Sequence, residues 1–93
     1  MAALLSLQER GDLRATLTQW QVGDERLKRQ WQFSDFSEAF AFMTRVALLA
    51  ESKQHHPNWS NVYNRVTIEL TTHDLGGLSN LDAEMAQSID ALQ

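Results

Sequence analysis

Cysteine is absent from these 93 residues. That excludes disulfide staples and thiolate metal sites, and it fits a reducing compartment. No apolar run approaches a membrane span, and the run at residues 2–5 is too short for the core of a secretory signal. Basic residues are also scarce. Eight Lys and Arg stand against twelve Asp and Glu, for a formal net charge of −4, and Lys28-Arg29 is the one adjacent basic pair. A protein that grips phosphate backbones carries a basic face, so direct nucleic-acid binding is not expected. No serine stands in a Gly-x-Ser-x-Gly setting, no glycine loop could cradle a phosphate, and no His-Glu-x-x-His occurs. Repeats, low-complexity tracts and linkers are missing as well.

What is present is ordinary for a folded domain, with 43% apolar and 22% charged residues. A chain this short buries a modest core, so one domain over 1–93 and an oligomer are expected. Ser6 and Glu9 form a capping box, and Leu7, Leu13, Leu17 and Trp20 give a loose apolar stripe. A helix is predicted over 6–18, weakened at Gly11 by about 1 kcal/mol relative to alanine. Trp20 and Val22, then Leu27, Arg29, Trp31 and Phe33, alternate with polar neighbours. This period of two predicts two short strands with one wet side, and both Trp are read as core.

Asp35-x-x-Glu38 opens the strongest helix, predicted over 35–51. Phe36, Phe40, Met43, Ala47 and Ala50 form one apolar stripe; Phe42, Val46 and Leu49 form a second. Together they are wider than one packing face needs, which fits either a helix buried deeply in its own core or one with a face on the sheet and another on a partner subunit. The expectation is that Phe36, Phe40, Met43 and Ala47 face the sheet while some of the second group faces another subunit. Pro57 disfavours helical geometry at His56, so the helix must stop before it. Trp59, Asn61 and Tyr63 alternate with Ser60 and Val62, and Asn64-Arg65 is read as a tight turn because asparagine tolerates left-handed geometry. Val66, Ile68 and Leu70 alternate with Thr67, Glu69 and Thr71, the clearest strand pattern in the chain. Gly76-Gly77 breaks the chain, and Ser79-x-x-Asp82 caps a last helix, where Leu78, Leu81, Met85, Ile89 and Leu92 keep helical spacing. The order αββαββα predicts a two-layer α+β fold, a four-stranded antiparallel sheet with three helices over one face.

The chemistry concentrates at Glu51-Ser-Lys-Gln-His-His-Pro-Asn-Trp59, which holds two of the three histidines. The third, His73, is placed as the last residue of a strand. Imidazole takes and gives protons near neutral pH. His55 and His56 point to opposite sides if the segment is extended, so one can do chemistry while the other orients a substrate. Glu51 lies one helical turn before His55 and is positioned to hold an imidazole tautomer. Both His55 and His73 are expected at element ends with modest burial. Three readings fit these residues: a proton-transfer site, a metal set of three His with Glu51 or Asp74, or surface histidines capping a helix end and a loop.

The spaced pattern Glu51-x3-His55-His56-Pro57-x5-Tyr63-x9-His73-x8-Asp82 resembles the signature of the pterin-4a-carbinolamine dehydratases. Animal members of that family are also called the dimerisation cofactor of hepatocyte nuclear factor 1. Asp35-Phe36, Ala39-Phe40, Phe42-Met-Thr-Arg-Val-Ala-Leu48, Asn61-Val-Tyr-Asn64 and the stretch from Ser79 to Asp82 look like the animal branch. The resemblance implies dehydration of 4a-hydroxytetrahydrobiopterin to the quinonoid dihydropterin, with no metal and no organic cofactor. It implies that His55 and His73 transfer protons and that His56, supported by Glu51, binds and orients the pterin. Gln54, Thr71, Thr72, His73 and Asp74 would line the pocket, and Trp59 would help wall it. Leu75 departs from the family pattern, because an apolar side chain there cannot donate a hydrogen bond.

The resemblance also implies partners. Family members assemble as dimers of dimers through the long helix, and animal members bind the helical dimerisation domain of a homeodomain transcription factor. That leaves a chain whose main work is protein binding, with weak dehydratase activity, as the alternative. A cytoplasmic and nuclear location is expected on the same ground.

Overall fold

Ser6, Asp35 and Ser79 each start a helix in the computed structural model, which describes residues 2–93. The hydroxyl of Ser6 accepts from the Glu9 N–H at 3.1 Å, and the Glu9 carboxylate accepts from the Ser6 N–H at 2.8 Å. Both groups are satisfied reciprocally, which fixes the start of α1 (Leu7–Thr16). At the second helix the exchange is one-sided. Asp35 caps Glu38, but the Glu38 carboxylate turns back to Ser34 instead. α2 runs Phe36–Lys53, two residues beyond its predicted end, and α3 runs Asn80–Asp90. Among the described residues, no helix is long and apolar enough to cross a membrane.

The strands are β1 (Gln21–Val22), β2 (Leu27–Gln32), β3 (Asn58–Val62) and β4 (Arg65–Leu70). They form one antiparallel sheet in the order β1-β2-β4-β3, with Trp31 opposite Val66 and Trp59 opposite Ile68. The α+β architecture predicted from the sequence is therefore observed. The β3–β4 hairpin differs in detail. Val62 pairs with Arg65, so the turn residues are Tyr63 and Asn64, and the left-handed residue is Tyr63 with φ of 53°. Asn64 is held elsewhere: its amide donates to the Phe33 carbonyl at 2.7 Å, and its own carbonyl accepts from the Phe33 N–H. That clamp to the end of β2 puts the strained geometry on the tyrosine.

The core lies between the sheet and the helices. Trp20 meets Trp31 edge-on at 5.6 Å, and Phe42 packs against Trp31 and Phe33 at 4.9 and 5.2 Å. Both indoles are buried, and each N–H finds an acceptor, Asp90 for Trp20 and Gln93 for Trp31. Arg29 shares this side of β2. It is tolerated there because its guanidinium bonds Asp90 at 2.7 Å and lies over the Trp31 ring.

The two stripes of α2 are exchanged relative to the expectation. Ala39, Phe42, Val46 and Ala50 face the sheet and are buried. Phe36, Phe40 and Leu48 are 47%, 56% and 70% exposed, Ala47 is exposed, and Met43 sits half-buried at the border. Ala39 and Ala50 have little bulk, so the helix can approach the sheet closely, and the one large ring between them fills the space under Trp31 and Phe33. Burying the Phe42 side chain contributes about 1.5–3 kcal/mol. Phe36 and Phe40 pack on each other at 5.7 Å outside that core.

Candidate active site

The end of α2 aims the first histidine inward. Gln54 is left-handed, with φ 54° and ψ 39°. The His55 N–H donates to the Ala50 carbonyl and the Gln54 N–H to that of Glu51. This pair of bonds closes a helix in a Schellman turn, a role more often filled by glycine. Pro57 makes the stop necessary, and the reversal separates the two imidazoles as expected. His55 turns in, with 11% of its side chain exposed, while His56 stays outside.

Each imidazole meets a carboxylate. His55 Nε2 lies 2.6 Å from Asp82, whose side chain has no exposed surface, and His56 Nε2 lies 2.8 Å from Glu51 at the surface. Glu51 thus meets His56, the partner that the resemblance implied, and the carboxylate that orients His55 is Asp82 rather than Glu51 one helical turn before it. The burial of His55 is also greater than expected, because its ring covers that carboxylate.

Asp82 sits in the first turn of α3, where the helix dipole favours an anion. Its second oxygen accepts from the Thr72 hydroxyl at 2.8 Å and the Ser79 N–H at 2.9 Å. The Thr72 and Ser79 hydroxyls lie 2.6 Å apart, and Ser79 Oγ accepts from the Leu81 N–H. The hydrogen positions follow. Thr72 spends its one hydrogen on the carboxylate, so the Ser79 hydroxyl donates to Thr72. A carboxylate has no hydrogen to return, so Nε2 of His55 carries the proton and, in the neutral ring, Nδ1 carries the lone pair.

His73 arrives from a different element. β4 ends at Leu70, so His73 is not a strand residue; it opens a 3-10 turn, His73–Leu75. The Thr72 carbonyl accepts from Leu75 and Gly76, and Gly76 closes the turn at φ 72°, a geometry that suits a residue without Cβ. An isolated bridge from Thr72 to Gly77 pins the base of this loop. The turn, the α2 end and the α3 start enclose a cleft of about 590 Å³, lined by Gln54, His55, His56, Thr71, Thr72, His73 and Asp74, with Ala2, Leu75 and Leu81.

Residues 3–92 match the family model described as pterin 4 alpha carbinolamine dehydratase. The chain belongs to that family. A protein of Synechococcus sp. (strain WH7803) named for the same dehydratase is 75% identical over 92 residues, covering 99% of each chain. The crystal structure of a transcriptional coactivator/pterin dehydratase from Brucella melitensis superposes with a TM-score of 0.90 at 41% identity, over 97% of this chain and 98% of that one. A pterin dehydratase-like protein identified as a RuBisCO assembly factor in the alpha-carboxysome is more distant. It shows a TM-score of 0.64 at 27% identity, over 78% of this chain and 84% of the other.

Within this dehydratase-family cleft, the structure gathers most of the residues that the resemblance pointed to. His55, His56, His73, Gln54, Thr71, Thr72 and Asp74 all line it. Two do not. Trp59 packs against the core from the helix side of β3, and Glu51 reaches the site only through His56. Among the described residues, no three His, Asp or Glu side chains converge as a metal set. Local sequence marks Asp82 only as a helix cap, although the spaced family pattern contains it. Its 27-residue separation from His55 gave no local sign of their contact. Leu81 and Ala2 carried no signal of their own; the first marked only the apolar stripe of α3.

Proposed function

We propose that this protein dehydrates a 4a-hydroxytetrahydropterin, such as 4a-hydroxytetrahydrobiopterin, to the quinonoid dihydropterin, in the recycling of a tetrahydropterin used by an aromatic amino-acid hydroxylase. The supporting observation is the pairing of an oriented imidazole, His55 on buried Asp82, with a second imidazole, His73, at one cleft. Family membership supports the same reading.

The elimination breaks the C4a–O bond and the N5–H bond and forms the C4a=N5 double bond. Hydroxide leaves poorly, so His73 as imidazolium gives its proton to the departing oxygen, which leaves as water. The Nδ1 lone pair of His55 takes the N5 proton, and Asp82 stabilises the imidazolium that results. His56, steadied by Glu51, binds and orients the pterin. Solvent then restores both histidines. General acid–base help of this kind contributes about 10²–10⁴-fold. The reaction is redox-neutral and each proton transfer has a named residue, so the reading calls for no cofactor.

The test is turnover of a 4a-hydroxytetrahydropterin, followed through formation of the quinonoid product. His55→Ala with His73→Ala should reduce the assisted rate to the uncatalysed background, with folding checked by circular dichroism. The wild type should keep its rate after chelation and dialysis. Wild-type turnover in the double variant would overturn the histidine assignment, and loss of activity on metal removal would revive a metal site.

A second reading is favoured by the exposed α2 face of Phe36, Phe40, Ala47 and Leu48. An apolar helix face of this kind fits a second copy of the chain, giving a dimer of dimers. A helical dimerisation domain of a homeodomain transcription factor would compete for the same face. The Brucella structure is named for both activities, coactivator and dehydratase.

A further inference from the structure

We infer that the cleft selects pterins whose C6 substituent carries no negative charge, and that Leu81, with Leu75 and Ala2 beside it, sets this selectivity. The inference deepens the dehydratase reading and rests on it.

The three apolar residues reach the cleft by separate routes. Leu81 stands in the first turn of α3, its N–H held by Ser79 Oγ. Residues 2–5 run antiparallel to residues 78–80. Leu4 bridges Ser79, the Leu5 N–H donates to the Leu78 carbonyl, and the Asn80 N–H donates to that of Ala3. That register sets Ala2 alongside Leu81, so the two form one apolar wall. Leu75, 37% exposed, follows His73 in the 3-10 turn and lines the same cleft.

The substrate's chemistry decides which edge can lie against that wall. C4a and N5 must sit at His55 and His73, because the bonds that break are there. The pyrimidine edge carries an amino group, a ring N–H and a carbonyl oxygen, and each needs a partner once it leaves water. Gln54 and Asp74 offer polar groups; Leu75, Leu81 and Ala2 have no side-chain polar atom. The pyrimidine edge set against the leucines would leave its polar atoms unpaired. The C6–C7 edge has carbon-bound hydrogens only, and C6 is bonded directly to N5. The C6 substituent therefore leaves the reacting centre toward Leu81.

Charge acts in the same direction. Among the described residues, no Lys or Arg lines the cleft. Asp74 lines it, Asp82 stands behind His55, and Glu51 stands behind His56. The positive charge that His55 and His56 can carry already faces a carboxylate. A phosphate or carboxylate on C6 would lose water and gain no Lys or Arg; the His73 imidazolium is engaged by the leaving oxygen at C4a, the other two imidazoles already face carboxylates, and Asp74 repels an anion. An alkyl substituent meets none of these costs, and a hydroxyalkyl one meets only the smaller cost of desolvating a neutral hydroxyl.

The test measures binding and turnover in the same protein. 6-Hydroxymethyl-7,8-dihydropterin and its phosphate ester are titrated by fluorescence. Initial rates are compared for the 4a-hydroxy derivatives of 6-methyltetrahydropterin and of a tetrahydropterin phosphorylated on its C6 side chain. The uncharged ligand should bind at least ~10-fold more tightly in the wild type, and Leu81→Arg should shrink that ratio at least ~10-fold. Leu81→Gln, polar but uncharged, should leave the ratio within ~3-fold, since it adds no cation. Leu75→Lys provides a second cation should the first variant disturb the start of α3. Equal affinities in the wild type, or a ratio unmoved by either cation, overturn the inference. Selective binding without turnover defeats the dehydratase reading and keeps the selectivity; equal binding with rapid turnover does the reverse. Failure to bind either pterin overturns both.

Discussion

Replacing Asp82 by asparagine should invert the tautomer of His55 with little change of shape. The native carboxylate accepts three hydrogen bonds, from His55 Nε2, the Thr72 hydroxyl and the Ser79 N–H. The Ser79 N–H can only donate, so an asparagine must turn its carbonyl oxygen toward Ser79 and its NH2 toward His55. Nε2 then has to accept, and the ring hydrogen moves to Nδ1, the atom proposed above to take the substrate proton. A base held in the wrong tautomer loses about 10²–10⁴-fold in rate. The loss should fall mainly on kcat, because the cleft lining of His56, Gln54 and Asp74, proposed to hold the pterin, is untouched. Stability should change less. Three charge-assisted bonds become neutral, each weaker by about 1 kcal/mol, and the lower cost of burying an uncharged group offsets part of that. A net loss of about 1–2 kcal/mol lowers the urea midpoint by about 1–2 M for a protein of this size. The assay is steady-state dehydration beside urea unfolding monitored by tryptophan fluorescence. Turnover within threefold of wild type, in a variant that has lost the expected stability, would refute the claim that Asp82 sets the working tautomer.

Two further outcomes check other parts of the structure. Thr44 lies on the exposed side of α2, near Phe40 and Leu48, so Thr44→Glu should weaken a tetramer by placing an unpaired charge in an apolar contact. Mass measured on dilution should fall toward the dimer while most dehydratase activity remains; a tetramer persisting at low micromolar concentration contradicts the assignment of that face. Tyr63→Gly should stabilise the β3–β4 hairpin by about 1 kcal/mol, because glycine accepts the left-handed geometry that tyrosine adopts under strain. An unchanged or lower unfolding midpoint would mean that the exposed tyrosine ring contributes more than its backbone costs.

Much of the fold was readable because local signals were strong. The capping pairs at Ser6 and Ser79 mark real helix starts, and the alternation of Val66, Ile68 and Leu70 marks a strand whose inward side is buried. The orientation of α2 was not readable. Both of its stripes are apolar, and the choice between them depends on where Trp31 and Phe33 leave room, a property of the packed sheet. Asn64 misled for a related reason: its tolerance of left-handed geometry pointed to a turn at Asn64-Arg65, whereas its side chain is clamped to Phe33, 31 positions away, and Tyr63 takes that geometry instead. The candidate site was readable as residue types in a spaced pattern. The distribution of its hydrogen bonds was not, because spacing along the chain does not say which carboxylate an imidazole will meet.

The stitching of residues 2–5 onto the start of α3 bears on how the molecule comes together. The β3–β4 hairpin closes over two residues and costs little chain entropy. By contrast, the Ala3 N–H reaches the Asn80 side chain across 77 positions. Asp82 sits in that same capped turn, and it meets His55 only when α3 has docked. No short piece of chain contains the imidazole, its carboxylate and the apolar wall together. Contacts of such wide separation have no local precursor to speed them. During synthesis the two adjacent histidines leave the ribosome well before the carboxylate that orients one of them. The helices and hairpins can assemble piecemeal, whereas the proposed catalytic arrangement forms only once residues 2–5 have met the start of α3.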